Sequence, residues 1–109
     1  MTSFPDLECQ ITFLPTEHGG RQSSVSTGYC PQLYYDSEDS GAFHSYPDRE
    51  IVFPGDTVRV ELRLLNEKCH VGRLFVGKVV LIREGNKTVG YGHVTKILNE
   101  RLLSHNQQA

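Results

Sequence analysis

Two stretches of the sequence contain residue types that bind phosphate. Residues 82–92, IREGNKTVGYG, combine three glycines with a lysine and a threonine. Upstream, residues 72–79 keep the glycines and lysine of the Walker spacing, but Val79 stands where magnesium needs a serine or threonine. A phosphate loop must also open a helix, whereas Lys78 is followed by the apolar run VVLIR, which favours a strand. We therefore expect no nucleotide site here.

Residues 82–92 fit a β-hairpin better. Gly85 and Asn86 lie between two apolar runs, and such a pair supplies the positive φ angles that two-residue turns need. Gly90 and Gly92 then share one face of the returning strand. Glycines at such positions allow a small barrel to close tightly or another backbone to approach.

The acidic residues and histidines show no pattern of a catalytic or metal site. The five histidines lack metal-ligand spacing. Asp36, Glu38 and Asp39 could in principle hold a cation, but they lack the glycine and distal glutamate of a calcium loop, so a solvated loop is favoured. We expect no catalytic residues, no metal, no cofactor and no small-molecule substrate, and therefore a protein that is not an enzyme.

The cysteines and the hydropathy bear on the compartment. Cys9, Cys30 and Cys69 form no CxxC pair, so we expect neither a zinc site nor a disulfide framework. We expect reduced thiols that act as small apolar residues of a cytoplasmic protein. The sequence contains no apolar run long enough to cross a bilayer and no signal-peptide pattern at its start, so no membrane partner is expected.

In the elements that position these residues, apolar and polar residues mostly alternate along the chain, with a period of two. In TVRVELRLL, residues 57–65, valines and leucines alternate with charged residues, as in a strand with one buried face. ECQITFL repeats the pattern, and LFVGKVVLIR is a longer apolar run suited to a strand that is buried on both faces or bent. Frequent glycine and proline turns separate these runs, which predicts a single all-β sandwich or barrel domain.

Four motifs in a fixed order add a family resemblance. They are EHGGRQ (17–22), TGYCPQLYY (27–35), FPGDTVRVEL (53–62) and IREGNKTVGYGHVTKIL (82–98). Together they resemble the C-terminal domain, domain 3, of bacterial elongation factor Tu. The resemblance implies an all-β fold, a six-stranded antiparallel closed β-barrel over residues 7–98, with a lead at 1–6 and a tail at 99–109. Since neither a GTPase domain nor a phosphate loop precedes it, we expect a stand-alone domain.

The resemblance also implies interface residues and partners. In that family the barrel packs on the GTPase domain, helps to bind aminoacyl-tRNA, and forms part of the surface where the exchange factor acts. Gln32 matches an interface glutamine, Ser40 stands near the expected tRNA backbone, and Glu84 matches a glutamate at the boundary between tRNA and GTPase domain. The remaining implied positions are the Gly20 and Arg21 turn and the phosphate-binding candidates Arg83, Lys87 and Lys96.

Departures from the family pattern leave more than one function open. Cys30 and Asp36 replace arginines, and the acidic residues Asp36, Glu38 and Asp39 should weaken tRNA binding by repelling phosphate. The first hypothesis is a non-catalytic binding module of translation that docks on a GTPase domain, its exchange factor or tRNA. The alternative is a drifted barrel with an unrelated partner, in which the motifs survive for folding alone. Polar Gln32 and Glu84, with no obvious folding role, favour the first; a small enzyme is the least favoured class.

Overall fold

A computed structural model describes residues 4–104, and six antiparallel strands in it close into a barrel. The barrel order is β1-β4-β3-β2-β5-β6, and β6 returns to pair with β1. The predicted six-stranded closed antiparallel barrel is therefore confirmed. The strands are β1 (Leu7–Phe13), β2 (Gln32–Tyr35), β3 (Glu38–Ser45), β4 (Thr57–Leu64), β5 (Val79–Glu84) and β6 (Lys87–Ile97).

The core follows the alternation of the sequence. In β4, Val58, Val60, Leu62 and Leu64 are buried and the residues between them face outward. The same alternation in β1 buries Cys9, and burial, with a smaller contribution from Glu8, raises the pKa of its thiol to about 12. All three cysteines are free. The expectation that they are apolar packing residues is wrong for Cys30 and Cys69, which are exposed.

The barrel closes where β6 passes β1, and glycine makes this approach possible. A Cβ on Gly92 would lie 2.0 Å from the carbonyl oxygen of Gln10, and one on Gly90 would lie 3.1 Å from that of Thr12. The close backbone approach predicted for these glycines is confirmed.

Both two-residue hairpin turns differ from their predictions in detail. Between β5 and β6, Gly85 has a φ of 62°, whereas Asn86 is not left-handed, so the turn needs one positive φ and not two. Between β2 and β3, Asp36 and Ser37 have φ values of 52° and 65°. The solvated loop expected around Asp36 is thus a tight turn, and β3 already begins at Glu38.

Among residues 4–104, three short 3₁₀ helices lie between or after the strands: Thr16–His18, Glu67–His70 and Glu100–Leu102. The last follows β6 and packs on the barrel, because Leu102 is fully buried and Leu103 pairs with Leu74 in a parallel bridge. Asp6 accepts backbone hydrogen bonds from Leu98 and Asn99. The described residues after position 98 are therefore held against the barrel and its first strand.

In the described part of the chain, no helix combines the length and apolar character that crossing a bilayer requires.

The β1–β6 seam yields a matched pair of stability predictions. Gly92→Ala should lower the free energy of unfolding by about 3 kcal/mol, because the new methyl group would overlap β1 backbone atoms that cannot rotate away. Gly90→Ala should lower the free energy of unfolding by about 1 kcal/mol or less, since its methyl group meets β1 at a longer distance. Urea denaturation of both variants checks this, and equal losses would contradict it.

Candidate docking site at the β5–β6 hairpin

Glu84, the last residue of β5, accepts two side-chain hydrogen bonds. Its Oε2 atom accepts from Arg21 Nη1 in an ion pair, and from the Tyr29 hydroxyl at 2.5 Å. The Arg21 guanidinium also lies over the Tyr29 ring, with 5.0 Å between its Cζ atom and the ring centroid. Arg21 and Tyr29 belong to the connection between β1 and β2. The carboxylate therefore ties this connection to the barrel.

Charge states in this network follow from its partial burial. The Arg21 and Glu84 side chains are 23% and 34% exposed. Burial acts to raise the pKa of Glu84, but the hydrogen bonds from Tyr29 and Arg21 outweigh it and the pKa falls below its usual value. Burial, together with the bond to Glu84, raises the pKa of Tyr29. At neutral pH Glu84 is thus an ionised acceptor between two protonated donors.

The Gly20 turn presents Arg21 to this carboxylate. A Cβ on Gly20 would lie 1.9 Å from the Leu14 carbonyl oxygen, so packing requires glycine there. The Gly20 carbonyl oxygen accepts a hydrogen bond from Lys87 Nζ at 3.3 Å. Lys87, the first residue of β6, also lowers the pKa of Glu84 through its charge.

Gln32 and Arg83 flank the same hairpin on its outer face. Gln32 and Arg83 are paired in register, and Gln32 Oε1 accepts the Gly85 backbone N–H at 2.7 Å. Arg83 donates to the Asn86 carbonyl oxygen at 3.1 Å, and its Cζ atom lies 4.5 Å from the Tyr34 ring centroid. Its buried Nε atom has no hydrogen-bond partner among the described residues.

These contacts correct one premise of the sequence interpretation. Gln32 binds a turn amide and Glu84 anchors a connection, so both residues have folding roles. Their presence therefore does not by itself distinguish a translation module from a drifted barrel.

Two of the eight candidate residues, Lys96 and Ser40, lie apart from the other six. Lys96 pairs with Glu8 of β1. Ser40 pairs with Leu33 rather than with Gln32, so its side chain lies on the opposite face of the sheet from that of Gln32. Its hydroxyl is 2.7 Å from His70 Nε2. The structure thus gathers Gly20, Arg21, Gln32, Arg83, Glu84 and Lys87 around one hairpin and leaves Ser40 elsewhere.

The acidic stretch is largely neutralised by residues that the sequence placed near a phosphate motif. Lys78 Nζ lies 2.7 Å from the Asp36 carboxylate, and Arg73 lies 2.6 Å from that of Glu38. The hydrogen bond from Lys78 lowers the pKa of Asp36. Residues 72–78 form turns rather than the start of a helix. The repulsion of tRNA expected from three acidic residues is therefore reduced, because two of them are paired.

The sequence interpretation missed a partly exposed apolar row beside the six residues gathered at the hairpin. Tyr34, Leu81 and Tyr91 are directly opposite one another on β2, β5 and β6, and therefore share the outer face. Val79, two residues before Leu81, is 68% exposed, and Tyr91 is 48% exposed. We call these four residues the hairpin face. The run containing Val79 and Leu81 is apolar on both sides, so its periodicity did not reveal that one side faces solvent.

The family model described as Elongation factor Tu C-terminal domain matches residues 1–98 of the 109-residue chain. The match includes all four motifs on which the resemblance was based. The predicted family is therefore confirmed.

The Glu84 network predicts a pH-dependent stabilisation. Glu84→Gln should lower the free energy of unfolding at pH 7 by about 1 kcal/mol, because a neutral amide cannot replace the charge-assisted bonds of a partly exposed pair. Since the folded pKa lies below the ordinary value of 4.5, this stabilisation is present above pH 4.5 and is lost as the pH falls through the folded pKa.

Denaturant unfolding of the wild type and the variant at pH 7 and pH 4 measures this difference. Glu50→Gln, an exposed glutamate before β4, is the matched control and should show little change at either pH. If the difference in the free energy of unfolding between the wild type and Glu84→Gln grew as the pH falls, it would contradict the assignment of Glu84 as an ionised acceptor.

Proposed function

The chain belongs to the family of elongation factor Tu C-terminal domains, which are non-catalytic β-barrels of translation, and on that premise we propose that it docks a translation partner through the β5–β6 hairpin. The observation that carries the proposal is the hairpin face, an apolar row in which Val79 and Tyr91 are exposed and Tyr34 and Leu81 are half-buried, directly beside charged side chains. Apolar centres with polar rims are the usual composition of protein interfaces. We propose a cytoplasmic location, where such a partner works.

A GTPase domain of elongation factor Tu type is the proposed partner. Val79 and Tyr91 provide apolar area that the barrel itself leaves in solvent, and tyrosine is a frequent hot-spot residue. Arg83 and Gln32 border this area with groups that can make hydrogen bonds to a partner. The exchange factor is a second partner of the same class. An unrelated protein on this surface is the outcome that favours the drifted-barrel alternative.

Binding of tRNA is a second candidate, supported by Arg83. Among the described residues, Arg83 has no carboxylate within ion-pair distance, and its guanidinium stacks on Tyr34. An arginine stacked on an aromatic ring and free of carboxylates offers both charge and a planar surface to a nucleic acid. The nearby Lys87 adds a second positive charge.

Replacing the hairpin face should abolish docking without unfolding the barrel. Val79→Glu and Tyr91→Glu should each weaken binding of a purified elongation-factor-Tu-type GTPase domain at least about tenfold, because each buries a charge in the apolar centre of the contact. Isothermal titration calorimetry measures the affinity. Ile51→Glu, at an exposed apolar residue before β4, is the control and should bind as the wild type does. Wild-type affinity in both hairpin variants would reject this surface.

A salt titration tests whether tRNA is a partner. If phosphates are contacted, the logarithm of the affinity for purified tRNA should fall linearly with the logarithm of the salt concentration. Arg83→Ala should reduce that slope by about one and weaken binding to all tRNA sequences alike. Filter binding at several salt concentrations provides both quantities. A flat salt response of the wild type would reject tRNA as a partner.

A further inference from the structure

A cavity of about 370 Å³ lies between the β2–β3 hairpin and the 3₁₀ helix Glu67–His70. Tyr35 and Ser40 line it from the hairpin, and Cys69, His70 and Arg73 line it from the other side. None of the four residues of the hairpin face lines this cavity. It is therefore a second site, separate from the proposed docking surface.

Three polar side chains form a hydrogen-bonded chain in the cavity wall. The Ser40 hydroxyl oxygen lies 2.7 Å from His70 Nε2, and His70 Nδ1 is hydrogen-bonded to the Tyr35 hydroxyl. His70 is only 3% exposed, whereas Ser40 is half-buried and reaches the cavity. An accessible hydroxyl, a shielded imidazole and a third group that orients the ring are the parts of an activated nucleophile.

Strand alternation and the closure of the barrel bring these three hydrogen-bonded side chains together. Tyr35 lies on β2 and Ser40 on β3, at positions whose side chains lie on the inner face of the hairpin. His70 comes from the connection between β4 and β5 and packs on Tyr35, with 5.6 Å between the ring centroids. The ring is thus held from both nitrogens.

The electrostatics leave the imidazole neutral at neutral pH. Burial and, to a smaller extent, the charge of Arg73 lower the pKa of His70, while Asp6 and Glu38 act in the opposite direction. Burial raises the pKa of Tyr35 to about 12, so its hydroxyl stays protonated. In the tautomer in which Nδ1–H donates to the Tyr35 oxygen, the Nε2 lone pair accepts the Ser40 proton.

Contrary to the sequence-based expectation of no catalytic residues, and as an activity beyond the family's non-catalytic role, we propose that Ser40 is a nucleophile toward small activated esters, with His70 as its general base and Tyr35 as a positioning residue. Ser40 Oγ forms a bond to the carbonyl carbon as its proton moves to His70 Nε2. The bond from that carbon to the leaving oxygen then breaks, and the leaving oxygen takes the proton. Water then attacks the acyl carbon as one of its protons moves to His70 Nε2. The bond from that carbon to Ser40 Oγ breaks, and Ser40 Oγ takes the proton from His70.

Charge at the cavity defines the substrate class. Glu38, Asp39 and Arg73 line it, and Arg73 is paired with the Glu38 carboxylate, so the acidic charge that is left unpaired among these described residues is that of Asp39, which disfavours an anionic acyl group. A cavity of this size admits a small ligand. The fitting substrates are therefore short, uncharged or cationic esters.

Covalent labelling tests the nucleophile on the full chain. An alkyl fluorophosphonate should form a bond from phosphorus to Ser40 Oγ with loss of fluoride, and peptide mass spectrometry should locate the adduct. Ser40→Ala should abolish it. Ser45→Ala, which removes a β3 hydroxyl outside the cavity, should retain it. Absence of an adduct, or an adduct on Ser37, would overturn the proposal.

Kinetics separate activation by His70 from a structural role. His70→Gln should slow labelling at least about a hundredfold. Because these substitutions can loosen the hairpin, the wild type provides an independent measurement: its labelling rate should be half-maximal at a pH below 6.5, since the His70 pKa is lowered. Tyr35→Phe should move that midpoint. A rate that follows the ionisation of an unperturbed serine, with no step below pH 7, would overturn the role of His70.

Discussion

The closure of β6 onto β1 is the constraint on which the rest of this structure depends. Six short strands leave two edges unless the last can reach the first, and Gly92 lets the β6 backbone approach that of Gln10 without a side chain between them. Closure turns the inner face of every strand into one core and the outer face into one continuous surface. The β5–β6 hairpin therefore has a fixed position at the barrel end, and so do the side chains around it.

Folding and function are difficult to separate at that hairpin, because the same polar groups serve both. Glu84 anchors the β1–β2 connection through Arg21 and Tyr29, and Gln32 binds the turn amide of Gly85. A drifted barrel would keep these contacts for stability alone. The exposed apolar side chains of Val79 and Tyr91 are different, since the barrel gains little from them in solvent. They carry the stronger argument for a partner.

The two ends of the β2–β3 hairpin make different contacts. At one end, the Gln32 side chain accepts the Gly85 backbone N–H of the β5–β6 turn. At the other end, the left-handed turn at Asp36 and Ser37 brings acidic groups to Arg73 and Lys78, and beside it Ser40 meets His70. Basic residues of the connection before β5 thus neutralise the turn instead of binding phosphate. One residue of the segment whose glycine and lysine pattern resembles a nucleotide-binding loop, Arg73, lines the resulting cavity.

The sequence by itself determined the strands, the class of fold and the family. Alternation in residues 57–65 shows which side chains are buried, and the glycine turns show where strands end, because both signals are local in the chain. Tertiary structure alone decided the pairings of Glu84 with Arg21 and of Ser40 with His70, which are 63 and 30 residues apart. Such contacts depend on strand register and barrel closure, which no local pattern encodes. For the same reason the exposure of Val79 became visible only when its strand had neighbours, since an apolar residue looks alike in sequence whether it faces the core or a partner.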